Sequence, residues 1–307
     1  MKVSTPQGTD GPGTARSRPL RGNRLRAFRE ALLHWYVPRA RPLRIRSTRE
    51  PWAILVSEVM SQQTQIARVD EAWTRFMTAY PTPRSLAEAP TAEVLRAWAG
   101  LGYNRRAINL QRAAVVIEAD HAGSVPSEVP ALEALPGVGA YTARAVAAIA
   151  FATPVAAVDT NVRRVVGRVT ASSPTPSELQ AEADRWVDAD EPATWTHAAM
   201  ELGAVCCTAR NPRCGECPVA PFCASAGRVA TPARQATSGS VTFERTSRWL
   251  RGRIIEHLRG LEDGAWTTLP SSMGAHDQAA IDAAIVALQR DGLLERGPDG
   301  AVRLPSG

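Results

Sequence analysis

The chain has 307 residues, enough for two domains or one large domain with a sizeable buried core. Its apolar content of 44% is ordinary, and no stretch approaches the length needed to cross a bilayer, which excludes a helical membrane protein. The N-terminus is basic but lacks the apolar run of a secretory signal. We therefore expect a soluble intracellular protein.

The net charge of +6 is unevenly distributed along the chain. Residues 1–50 contain eleven Arg and one Lys against three acidic residues, whereas the remainder is slightly acidic. Arginine suits phosphate contacts because its guanidinium group presents a planar fork of donors. Residues 1–22 are also rich in Gly, Pro, Ser and Thr, so the simpler interpretation of this segment is a disordered, solvated tail. Charge alone gives little indication of nucleic-acid binding.

Helical spacing dominates the rest of the chain. A first amphipathic helix is predicted over 24–36, and Pro51 opens a second that extends through Gln63, since proline is tolerated in a first turn. Short helical patterns separated by turns continue to residue 152. Three further helices are predicted after it, over residues 162–170, 178–188 and 192–204. The predicted fold class is all-α.

The C-terminal part of the chain has a different pattern. Residues 226–245 have the composition of a linker. Residues 246–307 predict two or three helices and then a turn at 297–300 flanked by short apolar strands, a pattern typical of a small winged-helix-like module.

All five cysteines lie between positions 206 and 223, and this bunching favours metal ligation over a disulfide framework. Cys207, Cys214, Cys217 and Cys223 follow the pattern C-x6-C-x2-C-x5-C, and four thiolates on one loop can hold a tetrahedral zinc or a [4Fe–4S] cluster. Structural zinc usually shows two C-x2-C pairs, whereas this loop has one, which favours the cluster. Cys206 lies outside the pattern and is expected to be a small buried residue.

A second motif, Leu135-Pro136-Gly137-Val138-Gly139, lies between helical patterns at 127–134 and 140–152. Glycine at both hairpin positions lets backbone N–H groups point outward without an obstructing Cβ. Beside a helix N-terminus such groups form a site for a DNA phosphate, which a bridging monovalent cation could share. A lone Pro-Gly-x-Gly is more often an ordinary turn, but the downstream cysteine loop favours the functional interpretation.

Two carboxylates are expected to occupy opposite environments. Glu58 lies mid-helix, one turn from Ile54 and Leu55, and desolvation on that apolar face favours its protonated form and raises its pKa. Asp159 precedes a helix, where an N-cap role is a sufficient structural explanation and helix amides favour a charged side chain. One neutral and one charged carboxyl group suit cleavage of a glycosidic bond.

These residues belong to six ordered motifs that together resemble the MutY-type adenine glycosylases of the helix-hairpin-helix, endonuclease III superfamily. The likeness covers roughly residues 23–225. The motifs are SEVMSQQTQ at 57–65, GLGY at 100–103, LPGVG at 135–139, VDTNVRRV at 158–165, MELGA at 200–204 and the cysteine loop.

The resemblance implies a six-helix module at 51–152 that carries the helix-hairpin-helix, and a [4Fe–4S] cluster module formed by 23–50 and 153–225. Adenine mispaired with 8-oxoguanine or guanine in double-stranded DNA would be flipped into a pocket between two domains and excised. Such a repair enzyme would be a cytoplasmic, nucleoid-associated monomer.

The resemblance also implies a role for individual residues. Glu58 would protonate adenine at N7 and later activate water, while Asp159 would stabilise the sugar cation. Tyr141 and Asn161 would support the site, and Glu201 would lie near the sugar or the water. Tyr141 also stands where bifunctional relatives have a nucleophilic lysine, and a phenol cannot form a Schiff base, so a monofunctional enzyme is expected. The implied DNA contacts are Arg44, Gln62, Gln63, Tyr103, Leu135, Gly137, Val138 and Gly139.

The sequence departs from the family pattern in three places. An R-x-L-P-W-R segment is usual before the catalytic helix, but here Arg41 replaces Leu and Leu43 replaces Trp, and Asn104 replaces the second aromatic residue after GLGY. Residues 241–307 are too short for the Nudix-like domain that longer members carry, as in short, actinobacterial-like forms. Two alternatives therefore stay open: a glycosylase that removes T or U opposite G, and a catalytically impaired protein that binds DNA lesions.

Overall fold

The computed structural model describes residues 20–229 and 242–306 of the chain. The α-helices of these residues are α1 (Gly22–Tyr36), α2 (Pro51–Ser61), α3 (Ile66–Ala79), α4 (Pro83–Ala87), α5 (Thr91–Ala97), α6 (Arg105–Asp120), α7 (Val129–Glu133), α8 (Ala140–Ala150), α9 (Thr160–Thr170), α10 (Pro176–Trp186), α11 (Pro192–Glu201), α12 (Ser247–Arg259) and α13 (Gln278–Arg290). A short antiparallel pair, β1 (Glu295–Arg296) and β2 (Val302–Arg303), closes the chain.

One compact unit, here named the cysteine-loop unit, contains residues 20–40, 158–188 and 194–229. Its core forms around the buried ring of Phe28 on α1, whose centroid lies 5.1 Å from that of Trp186 and 6.0 Å from that of Phe222. Helix α9 presents buried valines at helical spacing to this core: Val162, Val165, Val166 and Val169. The N-terminal helix α1 therefore folds together with the segment that carries the cysteines.

The second compact unit, here named the hairpin unit, contains residues 41–157, 189–193 and 242–306. Helix α2 is its central element, because nearly all of its residues are buried and it packs against α3, α6 and α8. Glu50 caps α2 by accepting hydrogen bonds from the amides of Trp52 (3.1 Å) and Ala53 (2.6 Å). The buried indole of Trp52 is satisfied by donating to the carbonyl of Tyr80 (3.1 Å).

Residues 242–306 pack onto helix α5 within the hairpin unit. The guanidinium of Arg259 on α12 donates to the carbonyl of Leu95 (2.8 Å), and the amide of Ala92 donates to the carbonyl of Pro305 (3.1 Å). Helices α12 and α13 pack against each other, and β1 and β2 flank the turn at 297–300. The predicted succession of helices and a strand-flanked turn is confirmed, as is the all-α fold class.

Some predicted boundaries shift, each for a local reason. Helix α2 ends at Ser61 because Gln63 adopts a positive φ of 57°, which a helix cannot accommodate. Helix α11 ends at Glu201 and passes into a π-helical turn, Leu202–Cys206, where a continuous helix to 204 was expected. Of the predicted tail and linker, 1–19 and 230–241 lie outside the described residues, and Leu20 is already buried.

In the part of the chain that the structure describes, no helix combines the length and the apolar character required to span a membrane.

Candidate active site and nucleic-acid interface

Glu58 lies on the central helix α2 of the hairpin unit. Its neighbours one turn back, Ile54 and Leu55, are almost fully buried, and its own Oε2 atom is shielded from solvent. The apolar surroundings expected for this carboxyl group are therefore present. At the end of α2, the Gln62 amide donates to the hydroxyl of Thr142 (3.2 Å), which fixes the end of this helix against the start of α8 beside Tyr141.

Asp159 lies at the N-cap of helix α9 in the cysteine-loop unit, as its place before a helical pattern predicted. Its Oδ1 atom accepts from the amide of Val162 (2.7 Å), and its Oδ2 atom accepts from Nδ2 of Asn161 (2.7 Å). Each carboxylate oxygen therefore has a donor on its own helix. This pair of bonds fixes the direction in which the carboxylate points.

Arg164, one turn further along α9, connects Asn161 to the cysteine loop. It donates to Oδ1 of Asn161 (2.8 Å), to the carbonyl of Gly203 (2.6 Å) and to the carbonyl of Cys207 (2.6 Å). The π-helical turn lies directly against Asn161, since a Cβ atom at Gly203 would come within 2.5 Å of the Asn161 Cβ. Glu201, 4% exposed, precedes this turn. The structure thus brings Asp159 and Asn161 together, with the turn that follows Glu201 packed on Asn161.

Arg168 holds the start of the cysteine loop. It donates to the Sγ atom of Cys207 (3.3 Å), to the carbonyl of Thr208 (2.7 Å) and to the carbonyl of Ala209 (2.9 Å). The cysteine outside the spacing pattern, Cys206, is buried as expected. Its thiol donates to the carbonyl of Arg213 (3.4 Å).

The four cysteines of the pattern are half-buried, and none of them forms a disulfide bond with another described cysteine. Burial raises the pKa of the Cys223 thiol, and the negative charges of Cys207, Cys217 and Cys214 raise it further. Among the described residues, no three side chains already stand at metal-ligand spacing. The donor set is nevertheless the one that an iron–sulfur cluster requires, since four thiolates that repel one another are stabilised by binding iron.

The hairpin between α7 and α8 contains two glycines with different roles. Gly137 has a φ of 79°, and a Cβ atom there would come within 2.6 Å of the Asn109 Cβ on α6. Gly139 is extended, caps α8 and has open space where a side chain would be. Leu135 and Val138 are buried and anchor the hairpin. Gly137 is therefore a packing requirement, whereas Gly139 leaves room for a ligand.

The turn at 100–103 is held by Arg106, a residue that sequence reasoning missed. Tyr103 has a φ of 45° and is 40% exposed. The buried Arg106 guanidinium donates to the carbonyls of Leu101 and Gly102 (both 3.1 Å) and to those of Val59 and Met60 (both 2.8 Å). Burial lowers the pKa of Arg106 to about 10, and the charge of Tyr103 opposes that shift.

The remaining predicted DNA contacts, Arg44 and Gln63, are on the surface. Arg44 begins a short 3-10 helix, Arg44–Arg46, and donates to the hydroxyl of Thr74 (3.3 Å). Gln63 is exposed immediately after α2. Both belong to the hairpin unit, as do Gln62, Tyr103 and the hairpin itself.

Two family models match the chain. The HhH-GPD superfamily of base excision DNA repair proteins matches residues 56–189, and the iron–sulfur binding domain of endonuclease III matches residues 207–223. The second match starts at Cys207 and ends at Cys223. The iron–sulfur interpretation of this loop is therefore supported over zinc.

Comparison with individual proteins agrees with these matches. The adenine DNA glycosylase of Mycobacterium tuberculosis is 42% identical over an alignment 289 residues long, and the alignment covers 89% of this chain and 92% of that protein. A solved structure of a thermostable thymine-DNA glycosylase is similar with a TM-score of 0.61 and 28% identity, covering 65% of this chain and 94% of that one. Endonuclease III trapped as a covalent intermediate with DNA is similar with a TM-score of 0.56 and 28% identity, covering 65% and 95% of the two chains.

The helical fold, the glycine hairpin and the cysteine loop define a base excision repair glycosylase of the helix-hairpin-helix, iron–sulfur class. At this level of identity over most of both proteins, the chain belongs to the adenine DNA glycosylase family. The resemblance stated from six short motifs is confirmed. The enzyme class is therefore that of hydrolases acting on N-glycosyl bonds.

Proposed function

We propose that this protein is a monofunctional glycosylase that hydrolyses the N-glycosidic bond of adenine mispaired with 8-oxoguanine or guanine in double-stranded DNA. The observation that carries the proposal is the orientation of the Asp159 carboxylate, which accepts hydrogen bonds of 2.7 Å from Nδ2 of Asn161 and from the amide of Val162. An anion fixed in this way can stabilise the positive charge that develops on a sugar as its base departs. The family of the chain supports adenine as the base.

In the proposed reaction Glu58 is the general acid. Its apolar position on α2 favours the neutral form, which can transfer a proton to N7 of adenine. The C1′–N9 bond then breaks, and its electron pair leaves with the protonated base. Asp159 faces the resulting sugar cation, and water adds to C1′ after transferring a proton to the Glu58 carboxylate. The products are free adenine and an abasic site, with Tyr141 and Glu201 as supporting groups.

A monofunctional reaction is supported by the composition of the chain. Lys2 is the only lysine in the sequence, and position 141, where bifunctional relatives have the nucleophile, is a tyrosine. Strand cleavage through a lysine Schiff base would therefore have no amine at that position.

DNA binding is proposed to use the surface of the hairpin unit. The open position at Gly139, at the start of α8, suits a phosphate, with a shared monovalent cation. Gln63 and Tyr103, both exposed on turns with positive φ, suit insertion into the base stack, with Gln62 beside them and Arg44 on the backbone. Such contacts to phosphate position the protein without reading sequence. The protein would act as a monomer on chromosomal DNA.

The substrate assignment is tested by incubating the purified protein with duplexes that contain A:8-oxoguanine, A:G, T:G or U:G, followed by hot alkali. Cleavage of the adenine strand only after alkali is expected. Cleavage at T or U would instead support a mismatch glycosylase, the class suggested by the likeness to thymine-DNA glycosylase. Binding of every duplex without release of any base would identify a lesion-binding protein.

The acid assignment is tested with Glu58→Gln, which should abolish adenine release while leaving DNA affinity within about twofold of wild type. Glu71→Gln on α3 is the matched control, since Glu71 is exposed. A Glu58→Gln protein with full rate would overturn the assignment.

The cluster is tested separately by colour. Four thiolates around a [4Fe–4S] cluster absorb broadly at roughly 400 nm, whereas a zinc site is colourless. The protein purified without oxygen is expected to be yellow-brown, with about four iron atoms per chain. One zinc ion per chain and no absorbance near 400 nm would overturn the cluster assignment, and the proposed base specificity would not be affected.

A further inference from the structure

A groove of about 970 Å³ runs along the hairpin unit, between the turn at 100–103 and helix α12. One wall contains residues from the end of α2 and from the turn, including Gln63 and Tyr103, and the other contains residues 243–253. None of the proposed catalytic residues of the hairpin unit is among the described residues that line it. The groove is therefore a site apart from the one where the glycosidic bond would be cleaved.

Aromatic rings and a guanidinium group alternate across this groove. Arg248 lies 5.2 Å from the ring centroid of Tyr103 and 5.0 Å from that of Phe243, and it donates a hydrogen bond to the Tyr103 hydroxyl. Tyr103 is 40% and Phe243 50% exposed, which is unusual for large aromatic side chains. Exposed rings interleaved with arginine form a platform on which nucleobases stack.

The groove is also strongly positive. Its lining contains Arg68, Arg105, Arg106, Arg248, Arg251 and Arg253, against one acidic residue, Asp291. Asp291 is engaged by two of these arginines, since it pairs with Arg105 (3.4 Å) and with Arg251. Arg106 is buried, so the exposed guanidinium groups of Arg68, Arg248 and Arg253 supply the excess positive charge, which suits a phosphate backbone.

The two walls are joined by a contact that explains a departure from the family sequence. Arg259 on α12 donates to Oδ1 of Asn104 (2.8 Å), the residue that stands where the family has a second aromatic side chain after GLGY. Arg96 on α5 also pairs with Asp263, which follows α12. Because these bonds anchor α12 beside the turn, the groove is formed before any ligand arrives.

We propose that this groove binds the DNA strand that carries the base opposite the excised adenine, with Phe243 and Tyr103 stacking on that strand and Arg248 contacting its phosphate and orienting Tyr103. The proposal rests on the proposed function, in which Gln63 and Tyr103 insert into the base stack. Gln63 and Tyr103 line the groove whereas Glu58 and Tyr141 do not, and on this separation we assign the groove to the strand that does not enter the catalytic site. The short C-terminal segment thus supplies a contact surface to the opposite strand.

Binding is tested with a duplex that carries 2′-fluoro-2′-deoxyadenosine opposite 8-oxoguanine, which is not hydrolysed. Arg248→Ala and Phe243→Ala are each expected to weaken binding about tenfold. The slope of log K against log salt should fall by about one for Arg248→Ala, because one phosphate contact is lost. Arg290→Ala on α13 removes an exposed charge from the same C-terminal segment outside the groove, and it should change neither quantity.

The strand is identified by replacing Phe243 with p-benzoylphenylalanine and irradiating the complex, with each DNA strand labelled in turn. Cross-linking to the strand that carries 8-oxoguanine is expected, at or next to that base. Cross-links to the adenine strand alone, or equal affinities of the Arg248→Ala and Arg290→Ala proteins, would overturn the proposal. Because neither readout requires base release, a protein that cross-links as expected but releases no adenine would overturn the proposed function alone.

Discussion

Asn161 donates a hydrogen bond to Asp159 over 2.7 Å and accepts one from Arg164 over 2.8 Å, so it is the middle member of a chain of three polar side chains. Arg164 continues this chain to the carbonyl of Cys207, the first cysteine of the loop. The orientation of the proposed catalytic carboxylate is therefore tied, through two side chains of one helix, to the backbone of Cys207, a proposed cluster ligand.

Replacing Asn161 should slow base release without weakening DNA binding. In Asn161→Ala, Asp159 loses the donor to Oδ2 and keeps only the Val162 amide, so its carboxylate can rotate. A hydrogen bond to a charged group is worth about 1.5–3 kcal/mol, which corresponds to a loss of about tenfold to a hundredfold in single-turnover adenine release.

Asn23→Ala, on the exposed surface of α1 in the same unit, is the matched control. Affinity for the non-hydrolysable duplex and absorbance near 400 nm should be unchanged in both variants. An Asn161→Ala rate equal to that of wild type would mean that the Val162 amide orients Asp159 alone.

Substitutions of the two hairpin glycines should have different effects, one on the stability of the protein and the other on its affinity for DNA. Gly137→Ala places a Cβ atom 2.6 Å from Asn109 at a φ of 79°, and about 1–3 kcal/mol of stability should be lost. Gly139→Ala introduces no clash in the protein and should leave the Tm within a few degrees. If Gly139 faces a DNA phosphate, that variant should instead bind duplex DNA about tenfold more weakly. Thermal melts measure the stability of the two variants, and titrations with an undamaged duplex measure their affinity for DNA. An unchanged affinity of Gly139→Ala would contradict the phosphate site.

The parts of the site that the sequence predicted are those set by local rules. Asp159 was expected to cap a helix because it directly precedes the pattern that begins at Val162, and the bond to the Val162 amide confirms that role. Glu58 was expected among apolar neighbours because helical spacing brings Ile54 and Leu55 beside it, and both are buried. Such relationships span three or four residues and leave a periodic signal.

The arginines that organise these residues could not be predicted in the same way. Arg164 contacts a carbonyl 43 residues away, Arg106 one that is 47 residues away, and Arg259 a side chain 155 residues away. An arginine that donates to backbone carbonyls imposes no residue type on its partner, so nothing in the partner sequence indicates the contact. Asn104 is the instructive case, since its departure from the family pattern was visible but its partner on α12 was not.

Arg106 should be essential for the stability of the hairpin unit. In Arg106→Met, the carbonyls of Val59, Met60, Leu101 and Gly102 lose a shared donor in a buried site. Three of these carbonyls keep a second donor, from the Gln62 amide, the Thr64 hydroxyl and the Trp98 indole, so what is lost is the set of hydrogen bonds to a charged group. Such bonds are worth about 1.5–3 kcal/mol each, so we expect a loss of at least about 3 kcal/mol in the free energy of unfolding.

Denaturant unfolding measures that loss, with Arg105→Met as the control. Arg105 directly precedes Arg106 on α6 but is largely exposed. Its ion pair with Asp291 should contribute less than about 1 kcal/mol to the free energy of unfolding. Equal stabilities of the two variants would show that the turn at 100–103 does not depend on Arg106.

The cysteine-loop unit should lose stability through Glu182 as the pH falls below about 4.5. Burial raises the pKa of this carboxyl group, but hydrogen bonds from Arg21, Arg185 and Trp186 outweigh that effect and hold the pKa at about 2, below its ordinary value of 4.5. A carboxylate with a lowered pKa in the folded state stabilises the protein above the unfolded value and loses that contribution as the pH falls from about 4.5 towards 2.

Glu182→Gln should therefore be less stable than wild type at pH 7, by roughly 1–2 kcal/mol after allowance for solvent screening of the partly exposed pairs. The difference should shrink as the pH is lowered through that window. Glu30→Gln, on the exposed face of α1, controls for the loss of one acidic charge from the same unit. Acid loss of the cluster affects all three proteins alike, so melts followed at matched pH isolate the contribution of Glu182. A constant difference between pH 7 and pH 3 would show that the pKa of Glu182 is not lowered in the folded state.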